Sequence, residues 1–324
     1  MSAEAIDRAR AAEADPGKGK RIALVLGAGG ARGLAHIGII EALEARGYRI
    51  GAIGGSSMGA LVGGIHAAGK LKAYRDWVVT LERSDVLRLL DFAFGHPGLI
   101  KGERIIGALR ELVGDHRIED LPIPYLAVAT DLRTQREVWL TRGPLFDAIR
   151  ASIAIPMVFT PHVINGRELV DGGLLAPVPM AATRAAHTDL VVAVDVNARV
   201  GRTPKAGTAD PGPRREEDAS SAEGEDPTPE EGEGLRARIG AFIDGLKEKT
   251  PELSIQPGLM QLMARSLDTM QAQIGRTQLA MDPPDLLVRV PHDACFFYEF
   301  WRAREMIEVG RRAAEEAIDA FEGR

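Results

Sequence analysis

Gly55-Ser56-Ser57-Met58-Gly59 is a GxSxG pentapeptide. A serine at the centre of such a stretch sits on a sharp strand-to-helix turn, in a strained backbone conformation that pushes its hydroxyl out over the sheet edge. The flanking residues must be small because strand and helix converge there. This geometry makes Ser57 the nucleophile candidate and leaves Ser56 as filler, or at most a local hydrogen-bonder. A tight turn without chemistry would use the same five residues, so the pentapeptide needs partners.

A serine hydroxyl needs a base. The seven histidines are His36, His66, His96, His116, His162, His187 and His292, and none lies in a setting that marks it out. A chain order of Ser, Asp, His would be met by His187 or His292, although that nucleophile usually follows more strands than the two found here. Asp171, in Leu169-Val170-Asp171-Gly172-Gly173, is the better candidate. It ends an apolar strand and precedes two glycines, so its carboxylate would emerge at a sheet edge beside free backbone. A structural Asx-turn would draw on the same residues.

The third stretch is Gly27-Ala28-Gly29-Gly30-Ala31-Arg32-Gly33. A dinucleotide fingerprint would want glycine where Arg32 stands, and the Gly-Lys-Ser/Thr ending of a phosphate loop is missing. At a helix N-terminus, the successive N–H groups of Gly29, Gly30 and Ala31 would instead point at an oxygen that develops negative charge. Arg32 would add positive potential as an anion or substrate contact, or form a structural ion pair.

These stretches need a scaffold that brings them together. "RIALVL" reads as a buried strand, residues 34–43 as a helix, "YRIGAIGG" as a second strand and "MGALVGGIHAAG" as a second helix. Strand, helix, strand, helix in this span is a βαβ pattern, whose strands are parallel, so the two glycine loops should leave the same sheet edge and meet. Residues 103–113 and "PLFDAIRAS" read as helices, and "IPYLAVATDL", "REVWLT", "DLVVAVDV" and "DLLVRV" as strands. "MVFTPHVINGRELVDGG" reads as a hairpin turning at Asn165-Gly166. Met260, Met263, Leu267, Met270 and Ile274 form one helical stripe, suited to an acyl chain or to the core. A second stripe runs from Leu235 to Leu246, and residues 299–321 read as a last helix.

Residues 1–20 read as a loose tail, 21–200 as the catalytic core, 201–234 as a disordered acidic insertion, and 235–324 as a helical region with a last strand and helix completing the same domain. The net charge of -6 argues against nucleic-acid binding. One cysteine, Cys295, offers neither a disulfide nor a metal cluster, so no metal and no cofactor is expected. There is no apolar signal segment and no run long enough to span a bilayer. The expected location is cytoplasmic, with any membrane contact peripheral to the inner face.

"GAGGARG", "GGSSMG", "ASIAIP" at 151–156 and "DGG" at 171–173 occur in the order and rough spacing of the patatin-like phospholipases, and the chain resembles their bacterial single-domain members. The resemblance covers residues 20–198 and, more loosely, 255–320. It implies an α/β fold, a three-layer αβα sandwich around a mainly parallel, mixed central sheet. It also implies a Ser-Asp dyad without histidine, Ser57 as nucleophile and Asp171 as base, and an oxyanion hole from the amides of Gly29, Gly30 and Ala31. Two departures stand out: Ser56 where the family often has Thr, and "APVP" where many relatives carry an Asn near the Pro. The expected function is hydrolysis of fatty-acyl esters of phospholipids or lysophospholipids. The alternatives are an esterase or thioesterase on a soluble substrate, and a regulatory protein on the same fold.

Overall fold

The computed structural model describes residues 19–91, 100–184, 188–199 and 257–323. The expected tail up to residue 18, the acidic segment 201–234, the stripe from Leu235 to Leu246, and His96 and His187 lie outside the described residues.

The strands are β1 (Arg21–Leu26), β2 (Arg49–Ser56), β3 (Tyr125–Asp131), β4 (Arg136–Leu140), β5 (His162–Ile164), β6 (Arg167–Asp171), β7 (Leu190–Ala198) and β8 (Leu286–Pro291). The helices are α1 (Ala35–Ala45), α2 (Met58–Ala67), α3 (Leu71–Val78), α4 (Arg83–Arg88), α5 (Glu103–Val113), α6 (Leu145–Ser152), α7 (Pro257–Met281) and α8 (Ala303–Glu322). The strands make one sheet in the order β5-β6-β3-β2-β1-β7-β8, with β4 also paired to β3. Pairings among β3, β2, β1, β7 and β8 are parallel. Those of β3 with β4 and β6, and of β5 with β6, are antiparallel. The sheet is thus mainly parallel and mixed, as the family resemblance implied.

Side-chain alternation along β1 separates the two faces. Ile22, Leu24 and Leu26 enter the main core with α1, α2 and α8. Val25 points the other way, into a smaller cluster with Val178, Met180 and Leu279 of α7. Helices cover one face, and α7 with the 172–184 segment covers the other, which gives three layers.

Chain order reverses at β1, which has β2 on one side and β7 on the other. The crevice beyond the carboxyl ends of such strands is where open α/β sheets take ligands. Leu26 pairs with Gly55, so the turns after β1 and β2 emerge side by side. Asn165 and Gly166 both have positive φ, 50° and 73°, and make the two-residue turn between β5 and β6. That hairpin delivers Asp171 to the same edge, in register with Ala129 of β3.

The C-terminal segment is bound into this core by contacts only glycine permits. A Cβ on Gly38 of α1 would lie 1.9 Å from the Ile307 carbonyl oxygen, and one on Gly310 of α8 would lie 2.0 Å from that of Ala35. The two helices therefore touch backbone to backbone.

Candidate active site

Ser57 caps α2 with φ 55° and ψ −122°, the strained turn that its pentapeptide predicts. The glycines on either side are required by contact. A Cβ at Gly55 would come within 2.5 Å of Gly59 and Ala60 backbone atoms, and one at Gly59 would come within 2.1 Å of the Leu26 carbonyl oxygen. The turn is also held from outside. The Ser57 N–H donates to Ser152 Oγ at 2.9 Å, and the Ser152 hydroxyl donates to the Val128 carbonyl at 2.6 Å. Ser152 lies in the "ASIAIP" block, yet nothing in that block's spacing assigns it this work.

The Ser57 hydroxyl donates to Asp171 Oδ2 at 2.6 Å. Asp171 Oδ1 accepts the Gly173 N–H at 2.6 Å, so the Asx-turn is present as well and orients the carboxylate. Gly172 must be glycine because a Cβ there would stand 2.1 Å from the Val128 carbonyl oxygen. Burial pushes the Asp171 carboxyl up from 3.8 to about 7, against the opposing pull of the bonds from Ser57 and Gly173.

No described histidine bonds to either side chain. His36 is fully buried, with Nε2 2.8 Å from the Gly27 carbonyl oxygen, and burial lowers its imidazole to about 4. At neutral pH it is uncharged, so Nε2 carries the proton and donates to Gly27. His66 is likewise lowered to about 4 by burial. The carbonyl of His292 accepts from Arg32, and His292 does not line the opening at Ser57.

In the first glycine loop, the N–H groups of Gly27, Ala28 and Ala31 are taken by the carbonyls of Val194, Pro177 and Phe297. Ala31 is therefore not free to face an oxyanion, which corrects the expectation that it shares in the cradle. Among the described residues the amides of Gly29 and Gly30 have no such partner, and both glycines line a small opening with Ser57 and Asp171. Side chains are excluded there: a Cβ on Gly29 would lie 2.3 Å from Val196, and one on Gly30 would lie 2.5 Å from the Phe297 carbonyl oxygen.

Arg32 does not reach this opening. It is 4% exposed and donates to Asn197 Oδ1, Asp268 Oδ1 and the carbonyls of His292 and Cys295. The expected anion or substrate contact is thus a structural ion pair. Asn197 in turn donates from Nδ2 to the Ala28 carbonyl at 2.7 Å. Arg32 and Asn197 fix the loop whose amides remain free, as His36 does from the other side.

The opening at Ser57 holds about 40 Å³, room for roughly one water. It adjoins an apolar cavity of about 530 Å³ that also reaches Ser57 and is walled by α2 to α5 and the 153–159 segment, with Leu61, Trp77, Leu89 and Phe159 among its sides. Among the described side chains of the α7 stripe, none lines this cavity. Leu267 faces the small opening, whereas Met270 is 51% exposed. The side chains of Met260 and Met263 lie outside the described residues.

The family model for patatin-like phospholipase matches residues 24–184. Uncharacterized NTE family proteins of Mycobacterium bovis and Mycobacterium tuberculosis are each 41% identical over 334 residues, spanning 93% of this chain and 92% of their own length. The chain belongs to the patatin-like phospholipase family. This membership places it among lipid hydrolases. Lysophospholipase NTE1 of Candida glabrata is 34% identical to this patatin-like chain over 194 residues, 57% of this chain and 11% of that protein. VipD from Legionella pneumophila superposes with a TM-score of 0.41 at 14% identity, over 94% of this chain and 67% of that one. No described helix is long and apolar enough to cross a membrane.

Proposed function

We propose that this patatin-like protein is a serine acyl hydrolase that cleaves fatty-acyl esters of phospholipids or lysophospholipids through an acyl-serine intermediate. The observation that carries the reading is the 2.6 Å bond from the Ser57 hydroxyl to the buried Asp171 carboxylate. Ser57 Oγ attacks the ester carbonyl while its proton passes to Asp171. The carbonyl oxygen gains negative charge and meets the N–H groups of Gly29 and Gly30, each donor worth about 10²- to 10³-fold in rate. The tetrahedral adduct collapses, the C–O bond to the alcohol breaks, and Asp171 returns the proton to that alcohol. Water then attacks the acyl-Ser57 ester with Asp171 again accepting a proton, the C–O bond to Ser57 breaks as Asp171 returns that proton to Ser57 Oγ, and the free acid leaves.

An unperturbed aspartate would be a feeble base for this work. Desolvation brings Asp171 to about 7, close to the pH at which a general base is most effective. The apolar cavity favours a hydrocarbon chain over a short soluble acyl group, and its volume lies within the usual range for ligand sites.

The test is a fluorophosphonate probe together with hydrolysis of a palmitoyl lysophospholipid. Ser57 should take the label, and Ser57→Ala and Asp171→Asn should each lower kcat/KM by about a thousandfold or more, while His292→Ala leaves it near wild type. An unlabelled Ser57, or a loss that follows His292 instead of Asp171, would overturn the assignment.

A further inference from the structure

Two unlike spaces meet near Ser57. Ser57 lines the apolar cavity, and past Phe297 and Tyr298, which line both spaces, lies a polar cavity of about 450 Å³. Phe297 lines both and also the opening at the dyad, so the three meet at one side chain. The wall of the polar cavity carries four guanidinium groups, from Arg32, Arg199, Arg265 and Arg302.

Two of the four are neutralised. Arg32 is held by Asp268, and Arg302 by Glu299 and Glu305. Among the described residues, Arg199 and Arg265 have no carboxylate within bonding distance, and Asp293 is the one other carboxylate on the wall. Of the guanidinium groups on this wall, Arg199 and Arg265 are thus the two without a bonded carboxylate among the described residues. In an acyl lipid the scissile ester joins the hydrocarbon to the head. With the hydrocarbon in the apolar cavity, the polar cavity that shares Phe297 with the dyad's opening offers a place for the head.

We infer that Arg199 and Arg265 form an anion subsite for a phosphoryl group, the one borne by the substrate's head. This rests on the acyl-hydrolase reading of Ser57 and deepens it. Planar guanidinium groups match phosphoryl oxygens with paired N–H donors, a fit that a phosphate-free head cannot use. Asp293, on the same wall, disfavours a second negative charge, so the subsite suits a phosphodiester head better than a phosphomonoester.

The experiment compares kcat/KM for palmitoyl lysophosphatidylcholine and for monopalmitoylglycerol, which share the acyl ester and differ in the phosphoryl group. Both arginines are exposed, so the Arg199→Gln/Arg265→Gln double variant should fold. Its ratio of phosphorylated to phosphate-free turnover should fall about tenfold, with partial recovery in the double Lys variant. Wild-type inhibition by millimolar inorganic phosphate, absent from the double variant, would place a free anion on the same groups. A lowered ratio without such inhibition ties the subsite to the lipid-borne phosphoryl group. An unchanged ratio in a double variant whose Ser57 still takes a fluorophosphonate overturns the subsite and leaves the hydrolase reading standing. Should the wild type turn over neither ester, the hydrolase reading falls, and the subsite is then judged by binding of a non-hydrolysable ether lysophospholipid: weaker in the double variant supports it, unchanged overturns it.

Discussion

At the scale of single residues, the proposed role of Asp171 as base would link activity and stability through one proton. Burial raises its carboxyl from 3.8 to about 7 in the folded protein, whereas the unfolded chain releases that proton near the ordinary value. The folded state therefore binds more protons than the unfolded state between about pH 4 and pH 7, and stability falls as pH rises through that window. Asp171→Asn removes the ionisation. The variant should be more stable than wild type above pH 7, by a few kcal/mol, and the difference should vanish below about pH 4 in urea titrations across pH. Wild-type kcat/KM should follow the opposite course, rising with pH and levelling above about 7, because only the carboxylate accepts the serine's proton. A flat stability difference across that range would mean that Asp171 titrates normally.

At the scale of elements, the backbone contact of α1 with α8 couples the glycine loop to the far end of the chain. The 3-10 turn Gly30–Leu34 runs directly into α1, so whatever displaces α1 displaces the amides of Gly29 and Gly30. Gly310→Val would force α8 off α1, at about 3 kcal/mol or more. The urea midpoint should drop accordingly, and hydrolysis should weaken even where the variant is folded; an unchanged midpoint would show that the helices yield without strain. Much of this architecture is legible in sequence because its punctuation is local. Gly55, packed against Gly59 and Ala60, and the Asn165-Gly166 turn each stand within a few residues of what they permit. Distant partners are not legible. Arg32 reads equally as a ligand contact or an ion pair until Asn197 and Asp268, 165 and 236 positions away, close around it. Ala31 reads as a free donor until the Phe297 carbonyl appears beside it. The methionine stripe shows that periodicity finds a helical face without saying what that face meets. Nor does sequence separate the apolar side chains of α3 to α5 that pack on the core from those that wall a cavity, since both uses ask for the same residue types.

At the scale of the whole molecule, the apolar cavity and the polar cavity give the site a direction along the substrate. Each methylene buried in the apolar side contributes about 0.8 kcal/mol, close to fourfold in kcat/KM while the chain still fits. A series of monomeric acyl esters of increasing length should show that slope and then a plateau once the 530 Å³ space is filled. A slope of zero from the shortest member onward would favour a soluble acyl substrate instead.

The same enclosure bears on how a turnover ends. On the proposed hydrolysis of a lysophospholipid, the water-soluble alcohol would depart easily, but the carboxylic acid would still have its tail sheltered among Leu61, Trp77, Leu89 and Phe159. The hydrophobic gain that drew the chain in would then resist its exit, so release of the second product, rather than bond cleavage, is expected to set the pace for long chains. An acceptor that removes fatty acid, such as a bilayer or a carrier protein, would then act as an accelerator without touching the chemistry.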